Sequence, residues 1–251
     1  MSVAQKIALV NDKTHKQLKP ATPVFSPVRA LPSPPCTPHT IALNQRNKMD
    51  GLAFLSQLTD ATIPAAFFDP QYRGILDKLN YGNEGKKRGK ARSSLPQMPE
   101  KTIAEFTQEI SRVLIPSGHL FLWMDKFHLC MGFTHWLTNT PLEIVDMVTW
   151  DKGKIGMGYR TRRKSEHLIV LQKTPRKAKG IWQSHTIPDV WQEDAPKNGF
   201  PHTKPIRLQK ELIAAVSQPN DIIIDPAAGS FSVMDACQQA ERQFLGCDIN
   251  G

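Results

Sequence analysis

The sequence predicts an α/β fold built on a mostly parallel sheet. Short apolar runs alternate with segments of helical period along residues 41–251. Several of those runs end abruptly at an acid or a small-residue turn, and 40% of the 251 residues are apolar, enough for a sizeable core.

Taken in order, residues 1–40 read as an arm or linker, because residues 20–38 (PATPVFSPVRALPSPPCTP) hold seven of the 20 prolines and so lack backbone donors. The folded part is expected over 41–251. Ala65–Phe68 is a short apolar strand that stops at Asp69-Pro70. Ile103, Phe106, Ile110 and Val113 follow helical spacing until Pro116 and Gly118. His119–Met124, Ile144–Trp150 and His167–Lys173 read as strands. Pro205 suits a first helical turn, and Leu208, Leu212 and Val216 form the stripe behind it. Asp221–Asp225 is then a strand, AAGS a tight turn, Val233–Glu241 a helix and Phe244–Ile249 a closing strand. No internal repeat is present.

Thirty-two Lys/Arg against 23 Asp/Glu leave a net charge of +9, which favours a polyanionic partner. No run approaches the ~18 apolar residues of a membrane span, and the first residues carry too short an apolar run for a signal peptide. The four cysteines show no CxxC pair. A reduced, cytoplasmic protein without membrane contact is expected.

Two places look chemical. IIIDPAAGS puts Asp225 and the small residues Ala227, Ala228, Gly229 and Ser230 at the carboxyl end of a buried strand, where open α/β sheets bind ligands. About 20 residues on, FLGCDIN ends the next strand with Asp248, a carboxylate able to hold the hydroxyls of a ribose. Taken singly, Asp225 reads equally as a helix cap and Asp248 as a surface acid. No GxGxxG is present, so a nicotinamide dinucleotide enzyme is disfavoured. The second place is Asp69-Pro70-Gln71-Tyr72, where a carboxylate, a proline-constrained carbonyl and an aromatic ring share one strand end. The two acceptors suit the two hydrogens of a planar exocyclic amine, with the ring stacked on the base. Alone, an Asp-Pro pair more often starts a turn.

DPQY, a GHLFLW strand, WDKGKIGMGYRTRRKSEHLIVLQK, HTKPIRLQKELI, DPAAGSFS and FLGCDI follow one another in that order. The arrangement resembles the permuted (beta-type) DNA amino-methyltransferases, over roughly residues 41–251. The resemblance implies the S-adenosylmethionine-dependent methyltransferase sheet with permuted motif order, S-adenosyl-L-methionine as cofactor and DNA as partner. It puts Asp69, Pro70 and Tyr72 on the catalytic motif, Asp225, Pro226, Ala227, Gly229 and Ser230 on the cofactor turn, and Asp248 on the ribose acid. Thr203, Lys204 and Pro205 match the helix start beside the methionine end of the cofactor. Asp in first place of DPQY favours adenine N6 over cytosine N4. The alternatives are cytosine-N4 DNA methylation, the same reaction on RNA, or a catalytically silent nucleic-acid-binding module.

Three departures stand out against that family. Gln71 replaces a second proline; Ala227 and Phe231 replace the usual Phe and Gly of the cofactor turn; and the chain stops three residues after Asp248, where relatives continue into a helix. A partner such as a second copy, the amino-terminal arm, or further sequence in the intact protein is expected to cover that edge.

Basic residues concentrate in 73–92, including Lys86, Lys87 and Arg88, and in 152–179, including Arg160, Arg162, Arg163 and Lys164. The first stretch has seven basic side chains against two acids, the second ten against Glu166 alone. Both suit phosphate contacts around a flipped base. The segment 174–200 is the only room for a target-recognition insertion, so a short or relaxed target sequence is expected. Its Trp182 and Trp191 read somewhat more readily as core anchors than as base contacts. His128, Cys130 and His135 fit no zinc pattern, G-x-S-x-G is missing, and the chemistry needs no metal.

Overall fold

The computed structural model describes residues 41–71, 98–156, 160–195 and 202–251. The proline-rich arm, Tyr72, and Lys86, Lys87 and Arg88 lie outside the described residues. The described residues belong to one unit, Thr40–Gly251.

Strand β2 (Ile63–Phe68) carries no charge and no polar side chain. Both of its faces are buried, as a central parallel strand requires: Ala65 and Phe67 point into one core layer, Ala66 and Phe68 into the other. β3 (Leu114–Met124) divides the same way, with Phe121 and Trp123 on one side and Leu120, Leu122 and Met124 on the other. β7 (Ile222–Asp225) splits Ile223 from Ile224. β5 (Ser165–Lys173) splits Leu168 and Val170 from Ile169 and Leu171. The remaining strands are β1 (Asn47–Lys48), β4 (Leu142–Asp151), β6 (Val190–Gln192) and β8 (Gln243–Asp248). The order across the eight-stranded sheet is β1-β8-β7-β2-β3-β5-β4-β6. Among the described residues only the pairings of β5 with β3 and β4 are antiparallel; the other five are parallel.

One face is covered by α1 (Gly51–Leu55) and α2 (Glu100–Val113). In α2, Ile103, Phe106, Ile110 and Val113 are buried, each large apolar side chain stabilising by about 1.5–3 kcal/mol relative to exposure. Short α3 (Lys126–Met131) and a 3₁₀ turn at Thr134–Leu137 follow β3. The opposite face is covered by α4 (Ile206–Val216) and α5 (Ser232–Gln239). Among the described residues no helix is long and apolar enough to cross a membrane.

Some details depart from the sequence reading. β3 begins at Leu114, directly after α2, and runs through Pro116 and Gly118 with an irregularity opposite β2, so those residues do not form a separate connection. Residues 174–195 contribute β6 to the sheet, while Trp182 and Trp191 pack against the core, as the sequence reading favoured. β1 pairs with the outer edge of β8, so that edge is met by Asn47 and Lys48.

Candidate active site

Because β8, β7, β2 and β3 are parallel neighbours, their carboxyl ends open on one side of the sheet, the usual ligand position in open α/β folds. Each ends at, or one residue before, an acid: Asp248, Asp225, Asp69 and Asp125. Asp125 is consumed locally. Its carboxylate caps α3 through Phe127 and His128 N–H, both at 3.0 Å, and also meets His128 Nδ1 at 2.9 Å. The other three, Asp69, Asp225 and Asp248, stand at the ends of the neighbouring strands β2, β7 and β8.

Asp225 is 6% exposed, and its carboxylate accepts the Ala227 N–H at 3.1 Å. Burial pushes its pKa up to about 8, helped by the nearby Asp69 and Asp248 carboxylates and opposed by the Ala227 bond. At neutral pH it therefore favours its proton unless a cation approaches. Gly246 lies opposite it on β8, where a Cβ would meet the Asp225 carbonyl at 2.4 Å, so this strand contact admits only glycine. Pro226 is buried and Ala227 packs against the core, while Ser230 is half-buried in the turn. Gly229 has φ +50° and open space where its Cβ would be. Its N–H donates to Asp248 Oδ2 at 3.2 Å, and the Asn250 N–H to Oδ1 at 2.8 Å, which fixes that carboxylate. Phe231 takes the left-handed conformation (φ 60°) that glycine would adopt without strain. Its ring is fully buried, edge-on to Phe244 and beneath the Arg46 guanidinium.

Beside this turn, Lys204 reaches across from the residues preceding α4. Its ammonium lies 2.9 Å from Asp69 Oδ2, 2.9 Å from Glu166 Oε2 and 5.1 Å from the Trp123 ring centre. Glu166 also pairs with Lys152, whose ammonium sits 4.8 Å above Trp150. The two indoles meet edge to face at 6.0 Å, making an aromatic floor under both cations. Burial opposes charge on Lys204, but the two carboxylates more than offset it and raise its pKa. Burial likewise opposes charge on Glu166, yet Lys204 and Lys152 bring it down to about 2. Asp69 is raised by burial, with Lys204 holding it back. Lys204 is thus a fixed cation, unfit as a general base.

Thr203 and Pro205 are buried beside Lys204. No side chain of the preceding residue caps α4; instead Glu193 accepts the Arg207 and Leu208 N–H groups at 3.0 and 3.1 Å. Pro70 is buried behind Asp69, and the Gln71 carbonyl accepts the Met98 N–H at 2.8 Å, so the chain leaves and returns at the same place. Tyr72 cannot be placed, since it lies outside the described residues.

The β4–β5 connection emerges on the same side of the sheet, because β5 runs antiparallel. Arg160 and Arg162 are exposed there. Lys164 pairs with Asp151 at 2.8 Å, and Arg163 lies 5.9 Å from the Phe127 ring centre. Glu166 and Lys152 were not singled out as site residues from sequence. The available signal was Glu166 itself, the lone acid in a strongly basic stretch.

Comparison with known proteins agrees with this geometry. The N6/N4 DNA methylase family model matches residues 67–251. The type II methyltransferase M.HhaII of Haemophilus parahaemolyticus is 56% identical over 208 residues, 82% of this chain and 91% of that protein. The DNA adenine methyltransferase YhdJ of Escherichia coli K12 is 44% identical over 50 residues, 20% of this chain and 17% of that protein. Among solved structures, the M1.HpyAVI–SAM complex aligns with a TM-score of 0.57 at 18% identity, over 81% of this chain and 92% of that one. The cytosine-N4-specific PvuII DNA methyltransferase aligns at 0.63 and 13% identity, over 84% of this chain and 83% of that one. With its fold, its acid-lined strand ends and a family match spanning residues 67–251, the chain belongs to the N6/N4 DNA methylase family.

Proposed function

We propose that the protein methylates the exocyclic N6 amine of adenine in DNA, with S-adenosyl-L-methionine as donor, on a base swung out of the duplex. The cofactor supplies an electrophilic methyl on a sulfonium. Residues of this chain fit it: Asp225, a buried acid that keeps its proton at neutral pH until a cation approaches, suits an ammonium, Asp248 suits a ribose diol, and Gly229 leaves open space over the turn. Asp69 and the Pro70 carbonyl accept the two amine hydrogens, which localises the nitrogen lone pair and aims it. Tyr72 stacks on the base, and Arg160, Arg162, Arg163 and Lys164, together with Lys86, Lys87 and Arg88, hold phosphates. Residues 174–200 supply a small recognition region, and the target sequence is short or relaxed.

The reading rests on one observation above the others: Asp69 and Asp225 end adjacent parallel strands, so the amine acceptor stands next to the cofactor turn. Nucleoside mass spectrometry on unmethylated DNA treated with protein and cofactor tests it. N6-methyladenine that disappears with Asp69→Ala is the expected result. N4-methylcytosine overturns the base assignment, and no methylated base in DNA or RNA overturns the reading.

A further inference from the structure

We propose that Glu166 is a positioning residue for the methylation reaction, acting on Asp69 through Lys204. The inference rests on the amino-methyltransferase reading and extends it to residues beyond the catalytic motif.

Lys204 is 12% exposed and bridges Asp69 and Glu166, at 2.9 Å to each. A lysine is a flexible stem carrying a point charge, so a single carboxylate would leave its direction free. Here the ammonium is fixed by a second acid on β5 and by the Trp123 face. Glu166 is fixed in turn by Lys152, and its backbone lies opposite Trp150 in the β4–β5 pairing. The chain of contacts therefore runs from a rigid strand pair to the acid that accepts the amine.

Glu166 has a second effect on the same atom. Sharing the ammonium between two carboxylates leaves Asp69 less neutralised than in a one-to-one pair, so it remains a good acceptor for the incoming amine hydrogen. Without Glu166, Lys204 would bind Asp69 alone and compete with the substrate for its oxygens. Other titratable groups around it are His202, Asp225 and Lys152. None of them is within bonding distance of Asp69 among the described residues.

The test is a double-mutant cycle in methylation kinetics with Glu166→Gln and Lys204→Met, read as kcat and as KM for DNA. Glu166→Gln is expected to lower kcat by roughly 10- to 100-fold, as misplacement of about an ångström does, with KM for DNA within about threefold of wild type. The double variant is expected to match Lys204→Met alone. Multiplying effects, an unchanged kcat, or a change confined to KM overturns the proposal. If Glu166→Gln loses its circular-dichroism signature, Lys152→Met replaces it in the cycle, with the same outcomes deciding. Wild-type protein that methylates no base refutes the underlying reading and this role with it. Cytosine methylation with a non-multiplying cycle upholds the positioning role alone.

Discussion

Asp225 offers a test that needs no substrate. An unperturbed aspartate ionises near 3.8, whereas burial moves Asp225 to about 8. An acid raised in the folded state stabilises the fold fully below its ordinary value and loses that contribution as pH rises through the folded value. Between about pH 5.5 and 8, the unfolded chain has released this proton and the folded chain has not. Wild-type stability should therefore fall by about 1.4 kcal/mol per pH unit relative to Asp225→Asn, roughly 3 kcal/mol over the window. Other titrating groups cancel in the difference. Urea unfolding of both cofactor-free proteins at stepped pH measures it directly, with Asp225→Asn the more stable at alkaline pH. The same variant should lose most of the cofactor-induced stabilisation, which for an intact site is about 2.7 kcal/mol at 100 times the dissociation constant. A difference between the two proteins that stays flat across the window would refute the reasoning: Asp225 would then already be ionised in the fold, and no cation would be needed to draw off its proton.

Two further outcomes follow. Glu193→Ala removes the carboxylate that caps α4 through Arg207 and Leu208. It should cost about 1–2 kcal/mol, seen as a Tm drop of roughly 2–4 °C per kcal/mol, with Glu193→Gln milder. Arg160→Ala should reduce the slope of log affinity against log salt on duplex DNA by about 0.9 at unchanged Tm, because Arg160 is exposed.

The strands that set the site were legible because their chemistry is local. IPAAFF and DIIID each end at an acid, and an abrupt end to an apolar run marks a strand terminus whatever packs on it. Helix α4 was legible from the stripe of Leu208, Leu212 and Val216. β1 and β6 were not, since two- and three-residue strands carry no period and exist only through their partners β8 and β4. The Asp69–Lys204–Glu166 bridge was illegible for a related reason. Its members lie on separate elements far apart in sequence, and nothing in a lysine's neighbours states which acids it will meet. Phe231 is the reverse case. In the sequence it stands out as a replaced glycine of the turn, and in the structure its ring is buried in the core.

The arrangement of charge explains why one opening can serve two partners of opposite sign. Asp69, Asp225 and Asp248 end neighbouring strands, and such a row repels itself. The fold answers by protonating Asp225 and by placing Lys204 on Asp69. Lys204 alone would leave a buried site hostile to a sulfonium, but Glu166 balances it and Lys152 balances Glu166. The four-group chain is neutral, so what remains at these strand ends is the Asp248 carboxylate and an Asp225 that would ionise beside a positive charge. The surplus basic side chains sit farther out, in the β4–β5 connection. A cationic cofactor is thus favoured deep in the opening and a polyanion at its rim. Salt screens the rim within about 8 Å while leaving the buried bridge largely untouched. On the function proposed above, affinity for DNA and the alignment of Asp69 would be governed by separate sets of charges, and either could change without the other.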